Sequence, residues 1–174
     1  QWLVSRWEHP ATADHPALTL TWHDGGKFPE SPKEPALDLS DSAKGKKLTP
    51  KPLDLTKWGI GVMFIGPKGK IVADYGRRFL LPADKFAGFQ APKESIPKSL
   101  GHYQEWIQGC KTGSPTLCNF DYSGKLVEHN LLGTVAFRVN KKLQWDCKKL
   151  EATNAPEAAK YIRREYRKGW VLEG

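Results

Sequence analysis

An α+β fold, with an open, mainly antiparallel sheet and helices packed on one face of it, is what this sequence predicts. Three observations lead there. Period-2 alternation of apolar and polar residues lies in the first half of the chain, and helical periodicity lies in the second half. The two are separated in order rather than interleaved, which argues against a βαβ fold with a parallel sheet. At 174 residues the chain fits one domain, residues 1–174, able to bury about 70% of its unfolded surface in a single core.

Residues 1–7 and 17–23 (ALTLTWH) read as two half-buried strands joined through Pro10 and Pro16. Asp24-Gly25-Gly26 ends the pattern. Residues 27–57 carry Pro29, Pro32, Pro35, Pro50 and Pro52 with little periodicity, and read as a long Pro/Lys-rich loop of the kind that serves as a lid or binds a partner. A hairpin follows, with residues 59–65 and 70–75 as strands and Gly66-Pro67-Lys68-Gly69 as the turn. Gly59-x-Gly61 begins like a dinucleotide-binding phosphate loop, but it lacks the third Gly and runs into a strand where that motif opens a helix. It is rejected as a nucleotide site.

Residues 77–89 leave room for one helical turn after Leu80-Leu81-Pro82. Ser99 is placed to cap a helix whose apolar positions are Leu100, Tyr103, Trp106, Ile107 and Cys110, stopped by Gly113 and Pro115. A second helix spans residues 123–139, with Leu126, Val127, Leu131, Val135, Ala136 and Val139 as its inward stripe. Gly133 inside it costs about 1 kcal/mol relative to Ala, so a close neighbour is expected there. Residues 142–146 read as a short strand. Asn154-Ala155-Pro156-Glu157 reads as a capping box that opens a last helix running to about Arg167.

Apolar residues make up 39% and charged residues 26%, and seven Trp argue for a folded core rather than disorder. The net charge of +8 favours acidic partners. It concentrates at Lys44, Lys46, Lys47 and Lys51, and at Lys160, Arg163, Arg164, Arg167 and Lys168. Since the aromatics fall in amphipathic stripes and not among these cations, a nucleic-acid-binding domain is the weakest of the functional readings and no nucleic-acid partner is expected. Cys110, Cys118 and Cys147 have no metal-ligand spacing, so no metal is expected, and free buried thiols are preferred over a disulfide. No apolar run reaches the ~18 to 20 residues that span a bilayer. No membrane partner is expected, and the chain reads as soluble, whether cytoplasmic or exported. It opens at Gln1 with neither Met nor leader, as expected of a fragment whose targeting information lies elsewhere.

Several motifs follow one another in an order that resembles the carboxy-terminal region of the Gfo/Idh/MocA oxidoreductases, the glucose-fructose oxidoreductase and inositol dehydrogenase group, in its long bacterial subgroup. They are Leu20-Thr21-Trp22-x-Asp24-Gly25-Gly26, the hairpin, Leu80-Leu81-Pro82, His102-Tyr103-x-x-Trp106-Ile107, Phe120-Asp121-Tyr122-Ser123-Gly124, Leu131-Leu132-Gly133, Leu143-x-Trp145-Asp146, and Asn154-Ala155-Pro156-Glu157-Ala158 running to Tyr166-Arg167-x-Gly169-Trp170. The likeness covers nearly the whole chain. It implies a substrate-side and oligomerisation domain, lying beside a Rossmann domain that binds NAD or NADP in the parent protein and acting on a sugar or polyol. The family's Glu-Lys-Pro and Asp-x-x-x-His motifs and its glycine-rich loop are missing from this sequence. With nothing here to bind the redox cofactor or shuttle a proton, the chain is expected to hold no cofactor, to carry no catalytic residue and to be inactive in isolation.

Six residues are the candidate substrate contacts: Lys125, Glu128 and His129 on the second helix, His102 at the start of the first, and Trp22 and Asp24 before the Gly pair. For each, a helix-surface, interface or turn role competes with hydrogen bonding to sugar hydroxyls. A homo-oligomer is expected, because a detached sheet-bearing domain exposes surface that a partner covers. The rival reading is a stand-alone carbohydrate-binding module.

Overall fold

A computed structural model describes residues 1–40, 48–93 and 95–170. The fold is α+β with antiparallel sheets and three α-helices among the described residues. The chain divides into two compact units, Gln1–Val4 with His23–Ser95, and Ser5–Trp22 with Ile96–Gly174. Strands β1 (Leu3–His9) and β2 (Leu18–Asp24) pair as a two-stranded ribbon. The alternation in β2 does not half-bury it, for every residue but His23 is exposed.

The first unit is built on a five-stranded antiparallel sheet. Its strands are β3 (Ala36–Asp38), β4 (Pro50–Lys51), β5 (Val62–Gly66), β6 (Gly69–Ala73) and β7 (Arg78–Leu81), in the order β4-β3-β7-β6-β5. The expected hairpin is present, with Gly66 opposite Gly69 and Pro67-Lys68 at its tip, although β5 starts at Val62 and not at residue 59. Gly69 sits at φ 151, and a Cβ there would lie 2.7 Å from both the Leu81 carbonyl oxygen and the Phe86 ring, so only Gly fits.

Alternation along β3, β6 and β7 sends side chains to two apolar clusters, one on each face. One contains Ala36, Val72, Phe79 and Leu81 with Leu53, Leu55 and Trp58. The other contains Leu37, Leu80 and Ile71 with Leu39, Ala83 and Phe86. Neither holds an α-helical residue. The covering segments are the stretch around the 3₁₀ helix Leu55–Lys57 and the 3₁₀ helix Ala83–Phe86, rather than α-helices laid on one face.

Residues 27–57 are therefore not the structureless loop that the sequence predicts. They supply β3, β4 and a 3₁₀ helix, and they bury Ala36, Leu37, Leu53 and Leu55. Strands of three and two residues are too short to display a period. The two Pro flanking Lys51 are tolerated because β4 is an edge strand. Polar side chains tie the segment down: Ser31 Oγ accepts from the Leu55 amide at 2.9 Å, and Asp38 accepts from the Ser40 amide at 2.9 Å and from Lys51 Nζ at 3.1 Å. The basic stretch at Lys44, Lys46 and Lys47 lies outside the described residues.

The second unit holds α1 (His102–Thr112), α2 (Phe120–Val139), a two-stranded pair β8 (Trp145–Asp146) and β9 (Glu151–Ala152), and the single turn α3 (Ala159–Ile162). Its core is Val135, Ala152, Ala155 and Ala158 with Val139, Leu143, Trp145 and Ile162 against them. Helix α2 begins three residues earlier than expected, because Asn119 Oδ1 accepts from the Tyr122 amide at 3.0 Å and caps it there. Gly133 has the close neighbour expected of it: a Cβ would stand 2.7 Å from Trp7 Cζ2.

Several sequence expectations fail in this unit. Helix α1 buries none of its residues; Tyr103 is 74% and Trp106 69% exposed, so its apolar stripe is a surface. Ser99 does not cap it; its hydroxyl donates to Glu105 and accepts from the Gly101 amide. Most of the α2 stripe is also exposed, with Leu126, Val127 and Leu131 open and only Val135 fully buried. The capping box is not formed. Asn154 Oδ1 accepts from the Gln144 amide at 2.7 Å, while Nδ2 donates to the Lys142 carbonyl at 2.9 Å, which fastens the segment before β8. A 3₁₀ turn Pro156–Ala158 precedes α3, which stops at Ile162 where Arg163 turns extended at ψ 138, far short of Arg167. Cys110, Cys118 and Cys147 are free but exposed, not buried.

Candidate functional site

Helix α2 carries three of the six candidate residues and aligns part of them by its own geometry. Residues three and four apart share a face, so Asp121, Lys125 and His129 form one row and Tyr122, Leu126 and His129 another. With Asn119 these five line a shallow, widely open cavity of about 490 Å³. Asn119 is occupied with capping the helix, which leaves Asp121, Tyr122, Lys125 and His129 as its polar wall.

His129 is held on several sides. Its ring stacks on Trp7 with centroids 4.7 Å apart, and Trp7 Nε1 donates to the His129 carbonyl oxygen at 3.1 Å. Its Nε2 lies 3.2 Å from Nε2 of His9 at the end of β1, a hydrogen bond in which one ring donates and the other accepts. Burial, and then the neighbouring His9, hold the His129 ring below the usual histidine range; a hydrogen bond with Asn130 works against both.

The other candidates are placed elsewhere. Glu128 Oε1 accepts from Trp145 Nε1 at 2.5 Å, which commits its carboxylate to docking that indole on α2. His102 leans on Tyr103 with ring centroids 4.1 Å apart at the open end of α1. Asp24 Oδ1 accepts from the Gly25 amide at 2.6 Å in a turn where Gly25 and Gly26 have φ of 65 and 81. Its role is that of a turn residue. Trp22 stands half-exposed on β2. Of the six, Lys125 and His129 line a common cavity.

Sequence reasoning passed over Asp121, Tyr122, His9 and Trp7. The first two were within reach, since counting four and three residues back from Lys125 lands on Asp121 and Tyr122. His9 was not, because 120 residues separate it from His129 and no local pattern spans that gap. A second concavity of about 330 Å³, walled by Leu150, Ala152, Pro156, Ala159, Ile162 and Arg163, contains none of the candidates.

Among the described residues no group of three or more His, Cys, Asp or Glu is disposed to hold a metal ion, and no helix is long and apolar enough to cross a membrane. Gly61 leads directly into β5 and not into a helix. Comparison of the chain with protein-family models, with curated proteins and with solved structures finds no match. What the cavity can do chemically follows from its wall: a carboxylate, an ammonium, a phenol and an imidazole offer donors and acceptors to a small polar ligand, beside the apolar Leu126.

Proposed function

We propose that this chain is the substrate-side and oligomerisation domain of an NAD(P)-dependent oxidoreductase of sugars or polyols, inactive until joined to a dinucleotide-binding domain. The observation that carries the reading is its uncovered apolar surface. The accessible surface is 14764 Å² for 19.6 kDa. A compact monomer of that mass exposes about 8,600 Å², and even two separate compact units of half the mass would expose only about 10,300 Å² together. Large apolar side chains stand exposed on it, among them Phe64, Tyr103, Trp106, Phe120, Leu131 and Phe137. Surface of this size and polarity fits a piece that packs against further protein.

The order of the sequence motifs supplies the class of partner, and the α2 cavity supplies a hydroxyl-binding wall of the right chemistry. Redox chemistry would come from the cofactor and its own domain, while Lys125, His129, Tyr122 and Asp121 would position the polyol. The test is to express the chain together with whatever polypeptide is encoded ahead of it in frame, and to measure NAD(P)⁺ binding by calorimetry and reduction on a polyol panel. Binding and turnover are expected from the longer polypeptide and neither from this chain alone. Tight NAD⁺ binding by the chain alone, or a longer polypeptide without nucleotide affinity, overturns the proposal.

The cavity also favours a second reading, a carbohydrate-binding module, because a Tyr beside polar groups can hold a sugar with no cofactor at all. Millimolar or tighter affinity of the isolated chain for an oligosaccharide, with no nucleotide present, selects that reading.

A further inference from the structure

We propose that the His9–His129 hydrogen bond is a proton-sensitive latch, closed while at least one of the two rings is neutral and opened when both are protonated. It stands on geometry alone and does not depend on the nicotinamide reading. With Nε2 atoms 3.2 Å apart, one nitrogen must accept the proton that the other donates, and an imidazolium has no lone pair to accept with. Two imidazolium rings at this separation lose the bond and repel each other. The rings are nearly parallel, with centroids 5.2 Å apart, and the Trp7 stack and Trp7 Nε1 bond hold His129 against β1, so the repulsion strains the contact of β1 with α2.

The charged neighbours do not neutralise the pair. On β1, Glu8 is engaged by Lys142 and Arg6. On α2, Glu128 is bound by Trp145, while Lys125 and Asp121 stand one and two turns before His129 on the cavity wall. Asn130 is the side-chain partner of His129, and it is neutral. The strand paired with β1 has no titratable residue between Leu18 and Trp22. The lowered affinity of His129 for a proton accords with this environment.

Three contacts would loosen together when the latch opens: the His–His bond, the Trp7–His129 stack and the Trp7 Nε1 hydrogen bond. His129 also lines the α2 cavity, so the same proton reshapes a candidate ligand site. From the singly protonated pair, opening takes up one proton, and its equilibrium constant therefore rises by up to about tenfold for each unit that the pH falls through the titration window.

The experiment is amide hydrogen exchange of residues 3–9 in the full chain between pH 7.5 and 5.0, corrected for intrinsic exchange, alongside NMR titration of the two rings. Protection of residues 3–9 is expected to fall about tenfold or more on acidification, and His129 is expected to titrate below the ordinary histidine value of 6.5. In His9→Gln the pH dependence of protection disappears and the His129 titration moves upward. Protection that is independent of pH, or equally pH-dependent in His9→Gln, overturns the latch. Should His9→Gln fail to fold, the wild-type pair decides: two rings that both take up their protons at or above 6.5, with no disfavoured second step, overturn it as well.

Discussion

Replacing Gly133 by Ala sets two known effects against each other, and the structure says which prevails. In an exposed helix interior this change stabilises by about 1 kcal/mol through propensity alone. At position 133 the new methyl would lie 2.7 Å from Trp7 Cζ2 and 3.1 Å from Cη2, with Ser5 Oγ at 3.3 Å. The indole cannot simply step back, since its Nε1 is bonded to the His129 carbonyl and its ring rests on the His129 imidazole. Overpacking against a fixed ring costs about 1–3 kcal/mol, and giving up the indole hydrogen bond costs about 1 kcal/mol. The net expectation is a loss of about 1–3 kcal/mol, or a fall in Tm of about 2–12 °C for a chain of this size.

Thermal unfolding followed by circular dichroism measures it, with Gly124→Ala as the internal control. Gly124 lies on the same helix, but nothing stands within 4 Å of its missing Cβ, so the control is expected to gain up to about 1 kcal/mol. If Gly133→Ala matches Gly124→Ala, Trp7 is not packed on α2 and the reasoning fails. Combining Gly133→Ala with Trp7→Phe, which removes the offending ring atoms, should cost less than the two single changes added together.

Glu128→Ala strands the Trp145 indole N–H, and a loss of about 1–3 kcal/mol in urea denaturation is expected; Glu128→Gln, which keeps an acceptor, should lose less. Leu81→Ala removes a fully buried side chain packed with Phe79, Ala36 and Val72, and should cost about 2–5 kcal/mol by the same assay, whereas Leu126→Ala on the exposed face of α2 should change little. For Asp38, burial raises the carboxyl, but the Ser40 amide and Lys51 outweigh it and hold the group below its ordinary 3.8. A depressed carboxylate stabilises fully above the unfolded value and loses that contribution as pH falls through the folded one. Stability of the parent chain should therefore decline below about pH 4, and a shallower acid limb is expected in Asp38→Asn. Lys125→Ala should weaken any polyol bound in the α2 cavity without shifting Tm, which saturation-transfer NMR with a sugar panel can detect; unchanged binding places the ligand elsewhere.

The sequence by itself determined those features that depend on neighbours along the chain. The β5–β6 turn follows from Pro67 and the flanking Gly, since these residues set their own backbone angles. Helix α1 follows from a 3.6-residue period sustained over its length. Tightness at Gly133 follows from the cost of leaving a glycine in a helix without a packing reason. The alignment of Lys125 with His129 is written in their spacing.

What the tertiary structure alone decided concerns partners that are distant in sequence. A period identifies an apolar face but not whether anything covers it. The stripe of α1 and most of the stripe of α2 therefore read as core and prove to be surface. Asn154 and Ser99 have the chemistry of caps, yet a side-chain amide or hydroxyl bonds whichever backbone or carboxylate group the fold brings nearest, here Gln144, Lys142 and Glu105. Two- and three-residue strands gain their order from the sheet they join rather than from their own pattern, which is why residues 27–57 hid two of the five strands. His9 and His129 meet only because β1 lies against α2, and chemistry that needs two groups from opposite ends of a chain cannot be read from either end.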